Sequence, residues 1–359
     1  MDPPLIILAY GPNSSSVKAV LTGDGEGVSE TLTMIPSRSM PLRQAMILGA
    51  GLGTRLRPLT ERLPKPLVPL FHRPLAEWAL AACATAGIQR FAVNTHYLPQ
   101  AWENFGDAIQ LPVSPLAGAN GTPALARRWE GRELTLFHEP ELLETGGALK
   151  NIARWIGSEP VLVHNADIFS TLPLERLIRA HADAGMPVTL ALRSGGDAKH
   201  IALDASGRHC IDIRGRLGRG EGTHVFSGIY CVSPEFLDLL PANEKISVIP
   251  AFLNLARSGL LGTIILDDGL WLDLGDRAAY LQAHRELQLG PALHPDGIIE
   301  AGACVERSVV GPGAVVRSGA ILRDSIVWPG CEVVGDAVLD TCVVFSNIPV
   351  GGIHRGEDL

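Results

Sequence analysis

A chain of 359 residues with 46% hydrophobic and 19% charged side chains has the composition of an ordinary globular protein and the length of two domains with an appendage. A formal net charge of −8, with no basic stripe, excludes a general nucleic-acid binder, so local basic groups must do any phosphate work. Six cysteines, at 83, 210, 231, 304, 331 and 342, form no CxxC pair and no zinc spacing, and are expected to be small buried hydrophobes in a reducing cytoplasm.

The opening MDPPLIILAYGPNSS holds an apolar run too short to span a bilayer, and it lacks both a basic n-region and a cleavage site, so no membrane association is expected. Residues 1–43 are rich in Gly, Ser and Thr and read as an accessory hairpin or a flexible extension, with a second plausible start at Met40. The string NSSSVK at 13–18 has a faint likeness to the phosphate loop of acetate-kinase-like proteins, but forty residues cannot make that fold. From 44 to 289 strands alternate with helices. AMILGA, FAVNTHY, LTLFHE, VLVHNADIF and PVTLALR read as strands; AEWALAACATAG, GGALKNIARWI and PLERLIRAHADAG read as helices. That alternation predicts an α/β fold with a doubly wound, mostly parallel sheet covered on both faces.

From 290 to 359 the helix signal vanishes. Apolar residues recur at Ile299, Val305, Val310, Val316 and Leu322, in steps mostly of six with one of five, and small residues lie between them. The phase slips near Ile326 and re-enters through Trp328-Pro329-Gly330. A six-residue period of this kind predicts a β-helix of two to three coils, short enough that it must pack on the preceding domain or on another subunit.

The densest chemistry lies in LGAGLGTRLRPLTERLPKPL, residues 48–67. It follows a strand, yet it is neither a Rossmann loop, whose third glycine would fall on Thr54, nor a P-loop, whose sixth residue would also be Thr54, followed by Arg rather than Gly-Lys. Prolines at 58, 64, 66 and 69 preclude the long helix that a Rossmann loop opens into. What the stretch supplies is glycine backbone for close approach, a planar guanidinium at Arg55, and a compact charge at Lys65 stiffened by prolines on either side. A triphosphate attacked at its α-phosphorus needs this treatment.

GxGTRLxPLTxxxPKPLVPL closely resembles the signature of the sugar-1-phosphate nucleotidyltransferases (NDP-sugar pyrophosphorylases), and the resemblance extends over roughly 44–289. It implies a nucleotide-diphospho-sugar transferase domain there and a left-handed β-helix for the hexapeptides. It also implies a reaction: an NTP and a sugar 1-phosphate give an NDP-sugar and pyrophosphate, dependent on Mg2+. By the same resemblance Arg55, Lys65 and Asp167 are catalytic. Gly49, Ala50, Gly51, Gly53, Thr54, Glu139, Glu144 and Thr145 would bind the nucleotide, and Gly146, Gly147, Asn165 and Gly228 the sugar. Asp167 and Asp273 would hold the metal, with Asp276 as a nearby alternative. Asn165-Ala166-Asp167 replaces a more usual NGD. His96, in NTHY, reads more readily as a satisfied histidine than as a ligand.

Many members carry a Glu-Lys-Pro before the sugar-site strand whose lysine grips the sugar phosphate; IRGRLGRGEGTHV has none, and Arg214, Arg216 or Arg219 is left to substitute. That absence, with VNTHYL and LLETGGAL, is most similar to the branch of N-acetylmuramate-1-phosphate uridylyltransferases and mannose- or heptose-1-phosphate guanylyltransferases. The expected partners are the two small substrates and other copies of the chain, assembled through the β-helix. The competing expectation is a catalytically silent protein that binds a sugar nucleotide for regulation or assembly. An acyltransferase activity of the β-helix is disfavoured, because the coils are few and there is no long arm helix.

Overall fold

Several strand segments are apolar almost without interruption, and in the structure these are the strands buried on both sides. In Val161–Asn165 the first four side chains are buried, and in Gln44–Leu48 likewise. The structure is a computed structural model that describes residues 42–108, 117–119, 121 and 124–359, together with the backbone of Leu5–Tyr10, Ser16–Thr22 and Ser29–Thr33. Those three segments pair antiparallel in chain order, Leu5 opposite Thr22 and Ser16 opposite Thr33. Residues 13–15 of NSSSVK lie outside the described residues.

The largest sheet is mixed and mostly parallel. In one part its strands run in the order Leu261–Ile265, Val188–Arg193, Val225–Val232, Val161–Asn165; in another, Gln44–Leu48, Arg90–Thr95, Arg132–His138, Ala124–Trp129, Asp107–Ala108. The chain divides into two compact units, one comprising 1–44, 145–163 and 173–267, the other 45–144, 164–172 and 268–359.

In the first unit Val188–Arg193 runs parallel to Leu261–Ile265 and antiparallel to Val225–Val232. The antiparallel register shifts between Leu190 and Leu192, and Gly228 on the facing strand has φ of 75°, a left-handed bulge that an L side chain rarely tolerates. Helix Leu174–Ala184 packs on Val188–Arg193 and stops at Gly185, in the left-handed region.

In the second unit Arg132–His138 runs parallel to Arg90–Thr95, and Ala124–Trp129 extends it antiparallel. Two predicted elements break where continuity was expected. VLVHNADIF turns at Ala166-Asp167, so Ile168–Ser170 leaves the large sheet and pairs with Trp271–Asp273. GGALKNIARWI is interrupted at Ile152, separating Glu144–Asn151 from Ala153–Ile156. The proline-rich signature makes only single turns, Thr54–Leu56, Leu59–Arg62 and Lys65–Leu67.

The C-terminal segment is a parallel β-helix whose coils advance 17 residues, as where Ile298 pairs with Val315, Cys304 with Ile321 and Val309 with Ile326, until the last, where Val338 pairs with Ile353. Two sides of six and one of five complete a coil. The five-residue step from Val305 to Val310 recurs from Leu322 to Val327 and from Leu339 to Val344, all in the same core. The apparent slip of phase near Ile326 is therefore the second short side. Inside the second unit the coils share one core with Leu56, Leu59, Val68 and Leu70 of the signature and with Tyr280 of helix Arg277–Glu286. Trp328 donates from Nε1 to Tyr280 Oη, 3.1 Å, and that hydroxyl donates to Pro69 O, 2.6 Å. Five of the six cysteines are buried, but Cys304 is exposed, against expectation, because it lies at an outward position of its coil.

Three buried histidines are held neutral: burial pulls His164, His181 and His284 down to about 4. His284 shows why, since Nδ1 donates to Tyr280 O while Nε2 must accept from Phe71 N. A folded-state pKa below the unfolded one means that stability is complete above about 6.5 and is lost as pH falls toward 4. The thermal midpoint is expected to decline over that interval; a flat midpoint would contradict it.

Candidate functional site

Within the second unit, the carboxyl ends of Gln44–Leu48, Arg90–Thr95 and Arg132–His138 are followed by Gly49, His96 and Glu139, the end of a parallel sheet where α/β proteins bind ligands. The glycine loop is shaped by its neighbours. A Cβ on Gly49 would lie 2.9 Å from Asn94 O and 3.2 Å from the Trp102 ring. Gly53 has φ of 63°, and a Cβ there would lie 2.8 Å from Lys65 Cβ. Thr60 closes the loop by donating from Oγ1 to Gly53 O, 2.9 Å. Gly51 is exposed and a Cβ there would meet nothing, so its bare backbone faces open space. Ala50 is buried, and Thr54 is exposed.

Lys65 and Asp167, distant in sequence, meet at 2.6 Å between Nζ and Oδ2. Lys65 is 6% exposed, held in a buried turn between two prolines. Asp273 joins them because Ile168 sits opposite it in the short antiparallel pair, with Leu274 N donating to Asp167 O, 3.0 Å. Asp273 is exposed by area, yet the protein against its flank and then the Asp167 carboxylate hold its carboxyl above the ordinary range; Lys65 and Arg55 pull it back. Arg55 lies over Gly275, where a Cβ would stand 2.6 Å from its guanidinium and 2.9 Å from Asp273 Oδ1. Gly275→Ala is therefore expected to displace a flexible side-chain end rather than unfold the protein: turnover about tenfold lower with an unchanged melting temperature. Asp276 is occupied as the N-cap of Arg277–Glu286, accepting from Ala279 N.

Asn94 and Gly275, neither assigned from the sequence, complete this geometry. A polar amide closing an apolar strand in FAVNT was the signal for the first; the glycine of WLDLG was the signal for the second. Glu139 is fully buried, with its carboxylate accepting from Asn94 Nδ2 and Leu143 N. His96 is a satisfied histidine, with Nδ1 bonded to Glu139 O at 2.7 Å. Glu144 is exposed and left-handed, φ 60°. Asn165 sits at the end of its strand, half-buried, its carbonyl 2.8 Å from His164 Nδ1.

The remaining predicted residues belong to the first unit. Thr145 Oγ1 accepts from Val248 N, and the N–H groups of Gly146 and Gly147 both point to Ile246 O. A Cβ on Gly146 would lie 2.9 Å from that same oxygen, so packing already requires the glycine, and its N–H is not open to an anion. Gly228 occupies the bulge described above. Of the three arginines, Arg219 is taken up by carbonyls closing helix Ile249–Arg257, while Arg214 and Arg216 are exposed.

Residues 44–201 match the nucleotidyl transferase family and residues 281–358 the GlmU-like C-terminal hexapeptide family. The chain is 27% identical over 297 residues to a mannose-1-phosphate guanylyltransferase of Mycobacterium tuberculosis, covering 75% of this chain and 77% of the relative. It is 28% identical over 253 residues to an N-acetylmuramate alpha-1-phosphate uridylyltransferase of Caulobacter vibrioides, covering 68% and 96%. A UTP-bound UGPase from Acinetobacter baumannii shares the fold, with a TM-score of 0.55 at 19% identity over 67% of this chain and 92% of that one. Residues 44–201 thus match as a nucleotidyl transferase segment, followed by a hexapeptide-repeat tail. The relatives it matches are named as sugar-1-phosphate nucleotidyltransferases, and their likeness supports that reading of this chain.

Proposed function

We propose that the enzyme transfers a nucleotidyl group from GTP or UTP to a hexose, heptose or amino-sugar 1-phosphate, releasing pyrophosphate, at the group formed by Arg55, Lys65, Asp167 and Asp273. The observation that carries this reading is the 2.6 Å contact of Lys65 with Asp167, beside Asp273 and at the rim of the glycine loop. The attacking oxygen of the sugar phosphate is already anionic, so no general base is required. Lys65 and Arg55 offset charge spread over the transferring and leaving phosphates, and the exposed backbone at Gly51 gives the nucleotide a close approach. Lys65 arrives with its position already fixed by packing, so little ordering is needed on binding.

The donor set suits magnesium. It is oxygen-only, and no group of three or more His, Cys, Asp or Glu capable of holding a metal occurs among the described residues, which matches an ion that takes one or two carboxylates and completes its shell with water and substrate phosphates. Held by Asp167 and Asp273, it would supply Lewis-acid neutralisation of the phosphates. Self-association is proposed through the solenoid, where Ile298 and Ile353 are 54% and 82% exposed.

Among the described residues no helix is long and apolar enough to cross a membrane. The test is pyrophosphate release over a grid of NTPs and sugar 1-phosphates. Turnover is expected with GTP or UTP, and it should vanish with EDTA and return with added magnesium. Binding without turnover across the whole grid would favour the silent, regulatory reading.

A further inference from the structure

Glu139 carries a carboxylate with no solvent-accessible surface and, among the described residues, no lysine or arginine paired with it. A buried carboxylate of that kind is costly unless its lone pairs are fully used. Both oxygens are used. Oε1 accepts from Asn94 Nδ2 at 2.8 Å, and Oε2 accepts from Leu143 N at 3.0 Å. Asn94, itself buried, turns its other end to the glycine loop, where Oδ1 accepts from Gly49 N at 2.9 Å. The polarity of this chain is not a matter of choice. A backbone N–H only donates and a carboxylate only accepts, so the residue between them must present one acceptor and one donor in a plane, which an asparagine amide does.

We infer that Glu139 is a positioning residue: through Asn94 it locks the glycine loop at Gly49 to the segment ending at Leu143, so that two segments lining the nucleotide site are set as one body. The inference rests on the proposed reading of that site. Gly49 cannot drift toward Asn94 in compensation, since its Cα already lies so close that a Cβ would meet Asn94 O at 2.9 Å. His96 adds a second tie on the same segment, from its ring to Glu139 O.

The decisive experiment reverses the polarity. In Glu139→Gln the new amide must turn an N–H toward one of two donors, and in Asn94→Asp a second carboxylate faces the first. Combined, the two changes restore every bond with donor and acceptor exchanged between positions 94 and 139, at the same net charge. Each single variant is expected to lower kcat/KM for the NTP by about ten- to hundredfold with KM for the sugar 1-phosphate little changed, and the double variant to recover to within about threefold of wild type. Hydrogen exchange gives a readout independent of turnover: the Gly49 and Leu143 amides should lose protection together in the single variants and regain it together in the double. Wild-type kinetics in Glu139→Gln, losses in the double equal to the product of the singles, or independent exchange of the two amides would overturn the inference. Where the single variants fail to fold, a folded double with protected Gly49 and Leu143 amides supports it, and a double that also fails overturns it. A wild type that releases no pyrophosphate from GTP or UTP yet shows this exchange pattern would refute the proposed reaction and leave the positioning role standing.

Discussion

Replacing Lys65 with alanine is expected to lower kcat at least about a hundredfold, on the order of 3 kcal/mol in the transition state, with the sugar 1-phosphate saturating. Only 6% of Lys65 is exposed, and its ammonium sits 2.6 Å from Asp167, so the charge is aimed by the fold before any substrate arrives. Removing it takes away positive charge where negative charge develops, and it leaves Asp167 facing Asp273 with less to offset their repulsion. With that competing cation gone, the two carboxylates should hold a dication more tightly, so the variant is also expected to need less magnesium for half-maximal rate. Lys65→Arg separates charge from shape. A guanidinium keeps the charge, but Gly53 leaves no slack around Lys65 Cβ, so recovery should be partial at best. Near wild-type turnover in Lys65→Ala would remove this lysine from the mechanism.

The signature made the charged groups legible, because Gly, Arg, Pro and Lys at fixed spacing have few other uses. It did not make legible what supports them. Asn94 lies in a strand forty-five residues from Gly49, and its role depends on parallel strands being brought side by side, which no local pattern encodes. The same is true of Gly275. Its reason for being glycine is the Arg55 guanidinium lying across it, more than two hundred residues away in sequence. Local propensity also hid the break in VLVHNADIF, where one apolar run serves two sheets and the turn between them is what presents Asp167. Periodicity carried the solenoid further than expected. A strict six-residue template saw a defect at Ile326, whereas a 17-residue coil has a short side that must recur. Glu139 could be read from the sequence only as a residue near the nucleotide; its burial makes it a support instead.

Cutting the chain after Leu289 is expected to abolish activity and to leave a protein that does not unfold cooperatively. The sequence alone leaves open whether so short a solenoid packs on the preceding domain or on another subunit. Packing decides it, since Leu56, Leu59, Val68, Leu70 and Tyr280 lie in one apolar core with Val310, Val327, Trp328 and Val344. Exposing a fully buried leucine costs about 1.5–3 kcal/mol, and several such losses together approach the ~5–15 kcal/mol that hold a whole domain. The damage would fall on the reacting groups, because Leu56 and Leu59 lie between Arg55 and Lys65, and Arg62 in the same stretch donates to Asn347 on the solenoid. Pro69 would lose its fixed partner as well, since Tyr280 is oriented by Trp328. Truncation would leave this apolar surface facing water. Substituting Leu59 and Leu70 with polar residues in the truncated protein should accordingly improve its solubility without restoring wild-type turnover. Full activity from the unmodified 1–289 fragment, with a single cooperative transition, would show that the coils are dispensable for the site.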